Sequence, residues 1–254
     1  MILASQIKSL QHPIVKKCVS LRNEASFKKK DPTVLVVGKK DLLDLPRNVK
    51  ILRLFSLDNN FFSISAQEYY IVSQEILKKI SGVMQPEGLV AEVEFPYLYP
   101  KKVERLLVAD GIKDPGNLGT LIRTALAFGF DALYLLHDCV DPFNDKVIRS
   151  TKSALFSLAL LQGSEQEFLA FCKTHTLHLY QADLQGVPLG KSPIQKPLAL
   201  ILGAEAQGTS PFIKKIAHPL TIPMQKAAES LNVAVAGGIL MFNLSSLCPN
   251  STTI

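Results

Sequence analysis

Short apolar strands alternate with amphipathic helices along residues 103–254, and this alternation restricts the fold more than any other feature of the sequence. Residues 105–109 (RLLVA) and 132–136 (ALYLL) are typical of buried strands, and a helical pattern separates them. Further strands are predicted at 177–180, 198–202 and 220–222. Strands that alternate with helices usually form a mostly parallel sheet, so an α/β domain is predicted here.

The helices of this region are predicted from apolar side chains that recur on one helical face. One helix carries the stripe Leu118, Leu121, Ile122 and Ala125 and ends before Gly129. A second helix is predicted over 147–161. The last helix has Leu231, Val235, Ile239 and Phe242 on one face. Ligands of open α/β sheets bind at the carboxyl ends of strands, which makes the strand-end loops the expected location of a site.

A smaller α/β domain is predicted upstream, over residues 1–98. The stretch FPYLYPKK at 95–102 holds Pro96 and Pro100, which interrupt regular structure, and the second domain starts at 103. With 254 residues the chain is long enough for two such domains. In the first domain, helices are predicted at 5–30 and 67–81, and strands at 33–37, 49–55 and 89–95.

Positive charge is concentrated in the first domain. Residues 1–102 hold 16 Lys and Arg against 10 Asp and Glu, whereas residues 103–254 hold 12 of each. A basic surface confined to one segment suits a polyanion such as nucleic acid. The alternative is a solvated helix face that only aids solubility. The candidate nucleic-acid-binding residues are Lys16, Lys17, Lys28, Lys29 and Lys30.

Other classes of protein fit the sequence less well. The four cysteines form no CxxC pair and the five histidines have no clear metal-ligand spacing, although His175 and His178 lie three residues apart. Lys8 interrupts the first apolar stretch too early for a signal peptide. Residues 230–254 carry no charge, but polar side chains and Gly237-Gly238 favour a buried helix with a polar tail over a membrane span. A reducing cytoplasm and no bound metal are therefore expected.

Two of the strand-end loops carry residues suited to a site. In DPGNLGTLIRTALAFG (114–129), Asp114 or Asn117 can cap a helix on which Arg123 lies six residues after Asn117. Spacing alone favours a capped helix with an ordinary surface arginine. In ILGAEAQGTS (201–210), Thr209 stands where a phosphate-binding P-loop needs lysine, which argues against a nucleotide triphosphate site. Glu205 is a charge in a segment where the backbone crowds a cleft.

The third loop is TIPMQKAAESLNVAVA (221–236), which joins a strand to the last helix. Glu229 or Ser230 could cap that helix. No His or Asp lies nearby in the sequence to make Ser230 a nucleophile.

Together the three loops resemble motifs 1, 2 and 3 of the SpoU (TrmH-like) RNA ribose 2'-O-methyltransferases of the SPOUT superfamily, in order and in spacing. The resemblance covers residues 104–242, with Asn117, Gly119 and Arg123 in motif 1, ILGAEAQG as motif 2 and IPMQKAAESLNVAVA as motif 3. The upstream part resembles that family's L30e-like substrate-binding domain. The chain departs from the family pattern at Val37, Ser153, Ala204 and Ala206.

The resemblance implies a fold and a cofactor. The segment carrying motifs 2 and 3 is expected to form a trefoil knot in which S-adenosylmethionine (AdoMet) binds, largely through the backbone. The implied cofactor-binding residues are Leu202, Gly203, Ile222, Met224 and Leu231. Family members are dimers whose active site forms at the dimer interface.

The resemblance also implies the residues that carry the chemistry. They are Arg123, Asn117, Glu205, Ser230 and Asn232. Methyl transfer to a ribose 2'-hydroxyl is mainly a positioning task and needs no metal. A guanidinium stays protonated in proteins, so Arg123 is better suited to orient the ribose and stabilise the developing oxyanion than to act as a base. Asn117 and Asn232 are expected to bond the ribose or cofactor, and Glu205 and Ser230 to fix Arg123 and the loops.

The predicted function is therefore AdoMet-dependent 2'-O-methylation of 23S rRNA, because minimal tRNA-modifying members lack the added domain. A tRNA 2'-O-methyltransferase is one alternative. A catalytically weak RNA-binding or ribosome-assembly protein is another, and methyl transfer to RNA would separate it from the enzymes.

Overall fold

A computed structural model describes residues 4–24, 33–59, 64–191, 193–225 and 229–245. The strands are β1 (Ser5–Ile7), β2 (Thr33–Val37), β3 (Ile51–Ser56), β4 (Glu68–Val72), β5 (Leu89–Glu94), β6 (Arg105–Asp110), β7 (Ala132–Leu135), β8 (Ala159–Gln162), β9 (His178–Pro188), β10 (Leu198–Gly203) and β11 (His218–Thr221). The helices are α1 (Pro13–Glu24), α2 (Lys39–Leu43), α3 (Gln74–Ser81), α4 (Pro115–Ala127), α5 (Asp145–Thr151), α6 (Glu165–Thr174), α7 (Pro211–Ile216) and α8 (Val233–Leu244). A short 3-10 helix spans Ala154–Phe156.

The chain divides into two compact units. The first consists of Met1–Pro96 and Asp141–Phe156, and the second of Tyr97–Val140 and Ser157–Ile254. The sequence predicts a change of domain between residues 95 and 103, which is where the first transition lies. It assigns Asp141–Phe156 to the second domain, however, whereas this segment clusters with the first unit.

The first unit is built on a five-stranded mixed sheet with the order β1-β4-β3-β5-β2. β4 pairs in parallel with β1 and β3, whereas β5 is antiparallel to β3 and β2. Val15 and Cys18 of α1 and Ile76 of α3 pack with Phe55 of β3 in one apolar cluster. Burial is the main reason that the pKa of Cys18 rises to about 12, so this thiol is a neutral core group.

Two helix predictions in this unit are partly wrong. Residues 5–30 are predicted as one helix, but Ser5–Ile7 forms an edge strand and α1 begins only at Pro13, a residue favoured in the first helical turn. Residues 67–81 are likewise predicted as one helix, but Glu68–Val72 (EYYIV) is a strand. Its aromatic and β-branched side chains favour a sheet, and Ser73 then caps α3 by accepting a hydrogen bond from the Ile76 N–H.

The returning segment Asp141–Phe156 packs on the first unit through aromatic and polar contacts. The ring of Phe95 lies 4.8 Å from that of Phe143 and 5.8 Å from that of Phe156. The Ser153 hydroxyl donates a 2.6 Å hydrogen bond to the Asp41 carbonyl. Ser153, one of the positions at which the chain departs from the pattern of the family it resembles, has a φ of +66°, a left-handed conformation that glycine adopts more readily. The buried hydrogen bond offsets part of this strain.

A buried ion-pair network lies in the same unit. The Glu92 carboxylate, with 0% side-chain exposure, pairs with Lys17 Nζ at 3.0 Å and with Arg53 Nη1 at 2.6 Å. Arg53 Nε also contacts Glu68 Oε2 at 2.9 Å, and the Tyr70 hydroxyl donates to the same oxygen at 2.8 Å. The Tyr70 hydrogen bond is the main reason that the pKa of Glu68 is lowered. Glu92 is therefore the buried centre of this charge network.

Glu92→Gln is expected to destabilise the protein by about 2–3 kcal/mol, because it leaves two basic groups beside a neutral amide. This loss is small for the breaking of a buried ion pair, because the Lys17 and Arg53 side chains are 51% and 21% exposed. The control is Glu94→Gln in the same strand, whose pair with Lys50 is exposed on both sides and is worth less than about 1 kcal/mol. Urea unfolding of the two variants measures the difference, and equal midpoints would contradict the assignment.

The second unit contains a six-stranded sheet with the order β11-β9-β10-β6-β7-β8. All of its neighbouring strands pair in parallel, as the alternation of strands and helices predicts. The helix predicted over 147–161 is wrong beyond Thr151. Lys152 and Ser153 both have positive φ values, which end α5, and the apolar residues 159–162 form β8 at the sheet edge.

Helices α4 and α8 pack on each other beside β10, and a glycine makes this close approach possible. A Cβ atom on Gly237 of α8 would lie 2.5 Å from the Leu121 side chain of α4 and 2.7 Å from the Leu202 side chain of β10. A side chain at Gly237 would therefore force these leucine side chains, or α8 itself, to move. No helix within the described ranges is long and apolar enough to cross a membrane.

Candidate functional site

The three loops singled out in the sequence follow strands β6, β10 and β11 of the second unit. The first loop begins α4, where the Asp114 side chain accepts a hydrogen bond from the Asn117 N–H at 2.8 Å. The third loop begins α8, where the Asn232 side chain accepts from the N–H groups of Ala234 and Val235. The helix caps are therefore Asp114 and Asn232, not Asn117, Glu229 or Ser230.

One hydrogen-bond network connects all three loops. The Asn117 amide group donates to Glu205 Oε1, and its carbonyl oxygen accepts a 3.0 Å hydrogen bond from Asn232 Nδ2. Asn117 thus bridges a carboxylate of the second loop and the cap of the last helix, 88 and 115 residues away in sequence. Three of the five predicted catalytic residues are therefore brought together, and their hydrogen bonds connect the three loops.

Arg123 lies on α4 six residues after Asn117, or about 9 Å along the helix axis. Its side chain is exposed and forms no ion pair or hydrogen bond with any residue that the structure describes. The contact with Glu205 that the sequence predicts is absent, because the Glu205 carboxylate bonds to Asn117 instead. The Arg123 guanidinium is therefore free to contact a ligand.

A cavity of about 440 Å³ opens between the second and third loops. All five residues predicted to bind the cofactor line it, namely Leu202, Gly203, Ile222, Met224 and Leu231. Glu205 and Ser230 also line it, whereas Asn117, Arg123 and Asn232 do not. The volume falls in the range of small-molecule sites, and the walls combine apolar side chains with a few polar groups, as such sites do.

The second loop folds tightly back against the strand that it follows. Ala204 and Gly208 form an isolated bridge in which the Gly208 N–H donates to the Ala204 carbonyl at 2.8 Å. A Cβ atom on Gly203 would overlap the backbone of Gly208 and Thr209. Because a backbone segment cannot move aside as a side-chain end can, only glycine fits at position 203.

Two groups of cavity residues are not predicted by the sequence. One is Ala182, Asp183, Leu184 and Gln185 of β9, and the other is Lys214 of α7. Gln181 and Val187 pair with adjacent residues of β11, so the residues between them leave the sheet ladder. The polar and glycine-containing stretch QADLQG after the predicted strand is the signal available in the sequence.

An apolar stripe on α8 faces solvent. Val235, Ile239 and Phe242 are 51%, 39% and 42% exposed, and Leu231 lies next to them in the preceding loop. Val233, Gly237 and Leu240 on the opposite side are buried. The stripe predicted on this helix is therefore its exposed face, and α8 is apolar on both sides.

One described cysteine lies near the first loop as a neutral, hydrogen-bonded thiol. The Cys139 thiol donates a 3.3 Å hydrogen bond to the Ala109 carbonyl, and burial raises its pKa to about 11, so it stays protonated at neutral pH. Within the described ranges no three His, Cys, Asp or Glu side chains come together as a metal site would require.

The predicted RNA-binding residues lie in the first unit. Lys16 is exposed on α1, whereas Lys17 forms the ion pair with buried Glu92. Lys28, Lys29 and Lys30 lie outside the described residues. Lys17 therefore has a structural role, whatever contact it makes with a nucleic acid.

The region that contains the three loops is similar to known proteins. The profile of the SpoU rRNA Methylase family matches residues 104–242, more than half of the chain. A protein of Synechocystis sp. named an uncharacterized tRNA/rRNA methyltransferase is 39% identical over 181 residues, 68% of this chain and 65% of that protein. The 23S rRNA (guanosine(2553)-2'-O)-methyltransferase RlmP of Bacillus subtilis is 33% identical over 177 residues, 69% of this chain and 71% of that protein.

A solved structure agrees with these relatives. The AdoMet-bound rRNA methyltransferase from Sinorhizobium meliloti superposes with a TM-score of 0.81 at 25% identity, over 94% of this chain and 97% of that chain. The chain spans just under two thirds of the cyanobacterial relative's length. The family profile, the relatives and the fold all agree with the resemblance of the three loops, and the chain belongs to the SpoU rRNA methylase family.

Proposed function

We propose that this protein transfers a methyl group from AdoMet to the 2'-hydroxyl of a ribose in ribosomal RNA. The observation that carries the proposal is the network in which Asn117 joins Glu205 and Asn232, beside a cavity lined by the second and third loops. The relative from B. subtilis is named a 23S rRNA 2'-O-methyltransferase, which supports both the reaction and 23S rRNA as the substrate. An RNA substrate of this kind also supports a cytoplasmic location.

The cavity suits AdoMet in size and in the character of its walls. Its volume of about 440 Å³ falls in the range of cavities that hold small ligands. Leu202, Ile222 and Leu231 offer apolar surface for the adenine ring, and Gly203 also lines the cavity. The exposed carbonyl and N–H groups of the two loops can bond the polar edges of the base and ribose. The residues present therefore fit the cofactor.

Each candidate catalytic residue has a distinct task in this proposal. Bound AdoMet would supply a methyl group that its sulfonium charge already activates. Arg123 holds the target ribose through its neighbouring phosphate and stabilises the negative charge that develops on the 2'-oxygen. The hydrogen bond between Asn117 and Asn232 holds the starts of α4 and α8 together, and Glu205 connects the second loop to α4. Ser230 lines the cavity, where it would contact the bound cofactor.

The topology of this proposal includes a trefoil knot in the second unit, formed by the segment that carries the second and third loops. Its support is the tight return of the second loop at Gly203 and the close packing of α8 on α4 at Gly237. The first unit, without Asp141–Phe156, is proposed to be an L30e-like RNA-binding domain over residues 1–98, and 103–254 the SPOUT domain. An experimental structure that traces the chain through the second loop tests the knot.

We infer that the active enzyme is a homodimer with its active site at the dimer interface. The exposed apolar stripe Leu231, Val235, Ile239 and Phe242 on and beside α8 supports this, because a helix that is apolar on both faces is usually buried on both. Arg123 on the packed helix α4 has no partner within the described part of its own chain, which leaves it available to the partner subunit's cofactor cavity. Sedimentation equilibrium measures the assembly state, and a fully active monomer would rule the dimer out.

The basic N-terminal segment is proposed to bind RNA. Neutralising Lys16, Lys28, Lys29 and Lys30 with Gln should weaken RNA binding and flatten its salt dependence, with the log–log slope falling by about 0.7 for each phosphate group that the variant no longer binds. Lys17 is retained because its ion pair holds Glu92. A control removes four lysines of the second unit, namely Lys101, Lys173, Lys191 and Lys196. Salt titrations of RNA binding that give identical slopes for the variant and wild type would exclude this segment as the RNA-docking surface.

The activity itself is tested by incubating the protein with methyl-labelled AdoMet and naked 23S rRNA, ribosomal subunits or tRNA. Label in rRNA at a nucleotide that resists alkaline hydrolysis on its 3' side is expected, because a 2'-O-methyl group blocks that cleavage. Label in tRNA alone would correct the substrate. No transfer to any RNA by a protein that binds AdoMet would leave an RNA-binding role without catalysis.

A further inference from the structure

Part of the cavity wall is built by β9 residues that leave the β9–β11 ladder. Between Gln181 and Val187 the register of β9 against β11 shifts, and Ala182, Asp183, Leu184 and Gln185 line the cavity in place of ladder pairs. Helix α7 packs against β9 and contributes Lys214 to the same cavity. This part of the cavity wall therefore comes from β9 and α7, and not from the three loops that follow β6, β10 and β11.

Two opposite charges belong to this part of the wall, and neither has an ion-pair partner among the residues that the structure describes. Lys214 is the one cationic side chain among the described residues that line the cavity, and no acidic group of the described chain lies within ion-pair distance of it. Asp183 Oδ1 accepts a 2.9 Å hydrogen bond from the Gln185 N–H, which fixes the carboxylate on the bulge. Asp183 also has no ion-pair partner among the described residues. The third charge, Glu205, is bonded to Asn117.

A free carboxylate and a free ammonium group match a ligand that carries the reverse pair. AdoMet has an α-carboxylate and an α-ammonium group at its amino-acid end, in addition to its sulfonium. We infer that Lys214 binds the carboxylate and Asp183 the ammonium group at the amino-acid end of the cofactor. The inference rests on the proposed function.

The size of the effect follows from the exposure of Lys214. Its side chain is exposed, so its attraction to a carboxylate is screened by water and belongs to the weaker class of ion pairs. A loss of AdoMet affinity of about three- to tenfold is expected when its charge is removed. The neighbouring Lys215 on α7 is also exposed but does not line the cavity, which makes it a matched control.

The experiment is a double-mutant cycle in which one partner is changed on the protein and the other on the ligand. Isothermal titration calorimetry measures the binding of AdoMet and of decarboxylated AdoMet, which lacks only the carboxylate, to wild type, Lys214→Gln and Lys215→Gln. Lys214→Gln should weaken AdoMet binding about three- to tenfold and leave the binding of decarboxylated AdoMet unchanged. Lys215→Gln should change neither, and Lys214→Arg should restore AdoMet binding.

Three outcomes overturn the inference. If Lys214→Gln loses the same affinity for AdoMet and for decarboxylated AdoMet, Lys214 shapes the cavity but does not bind the carboxylate. No loss for AdoMet means that Lys214 does not contact it, and a weaker RNA complex with a lower salt slope would then assign Lys214 to RNA. Failure of wild type to bind AdoMet at all would instead contradict the proposed function. Thermal unfolding of each variant confirms that the fold is intact.

Discussion

Arg123→Ala is expected to lower the rate of methyl transfer by about 10²- to 10³-fold, which is the usual effect of removing one group that stabilises developing negative charge. The affinity for AdoMet should not change, because Arg123 does not line the cavity of its own chain and its proposed contacts are with the RNA ribose and phosphate, not with the cofactor. The fold should also remain intact, because the exposed Arg123 side chain makes no ion pair or hydrogen bond with the described residues. Single-turnover methylation and calorimetric AdoMet binding measure the two quantities separately.

Two variants make this result specific. Lys113→Ala removes an exposed positive charge in the same loop just before α4, and it should retain nearly full activity. Arg123→Lys keeps the charge but loses the planar fork that binds phosphate in two places, so partial activity is expected. If Arg123→Ala methylates within about tenfold of wild type, which corresponds to ~1.4 kcal/mol of barrier, Arg123 is not the central group.

Gly203→Ala is expected to reduce the affinity for AdoMet by about 100-fold or more. The added methyl group would overlap the backbone of Gly208 and Thr209, so the second loop must open, at a cost of about 3 kcal/mol. The control Gly208→Ala introduces the same methyl group in the same loop. It meets no atom within 4 Å, but its φ of +67° costs about 1–2 kcal/mol.

Calorimetric binding and thermal unfolding of both glycine variants separate overlap from backbone strain. The expected order is a large loss of AdoMet binding for Gly203→Ala and a smaller effect for Gly208→Ala. The reverse order would mean that the loop needs conformational freedom at Gly208 more than close packing at Gly203.

If the active site is shared between subunits, a mixture of Gly203→Ala and Arg123→Ala proteins should recover some activity through hybrid dimers.

The parallel sheet of the second unit is predictable because its strands are short apolar runs separated by helical stripes. The local sequence pattern gives the wrong element where secondary structure depends on neighbours that are distant in the sequence. The stretch at Glu68–Val72 becomes a strand because β1 and β3 lie on either side of it, and nothing within its own five residues specifies those neighbours. Likewise β8 follows a helix end set by two left-handed residues, Lys152 and Ser153, at which the sequence pattern predicts a continuing helix.

The candidate site shows the same division. Motif resemblance predicts the cofactor-binding residues, and all five line one cavity. Asp183 and Lys214 cannot be predicted in this way, because Asp183 lines the cavity at a register shift between β9 and β11, and Lys214 lines it from α7, which packs on β9. The sequence predicts a free surface cation at Lys17, since the buried Glu92 that binds it is 75 residues away.

The return of Asp141–Phe156 to the first unit has a consequence for how the protein can be divided. Phe143 and Phe156 are both only 1% exposed, and Phe95, which contacts both rings, precedes the first transition between units. Deleting residues 1–96 would leave both rings in water at about 1.5–3 kcal/mol each, within the chain that must form the methyltransferase unit. The first unit is therefore not a detachable appendage, and exchanging it between relatives requires transplanting two separated stretches of the gene together.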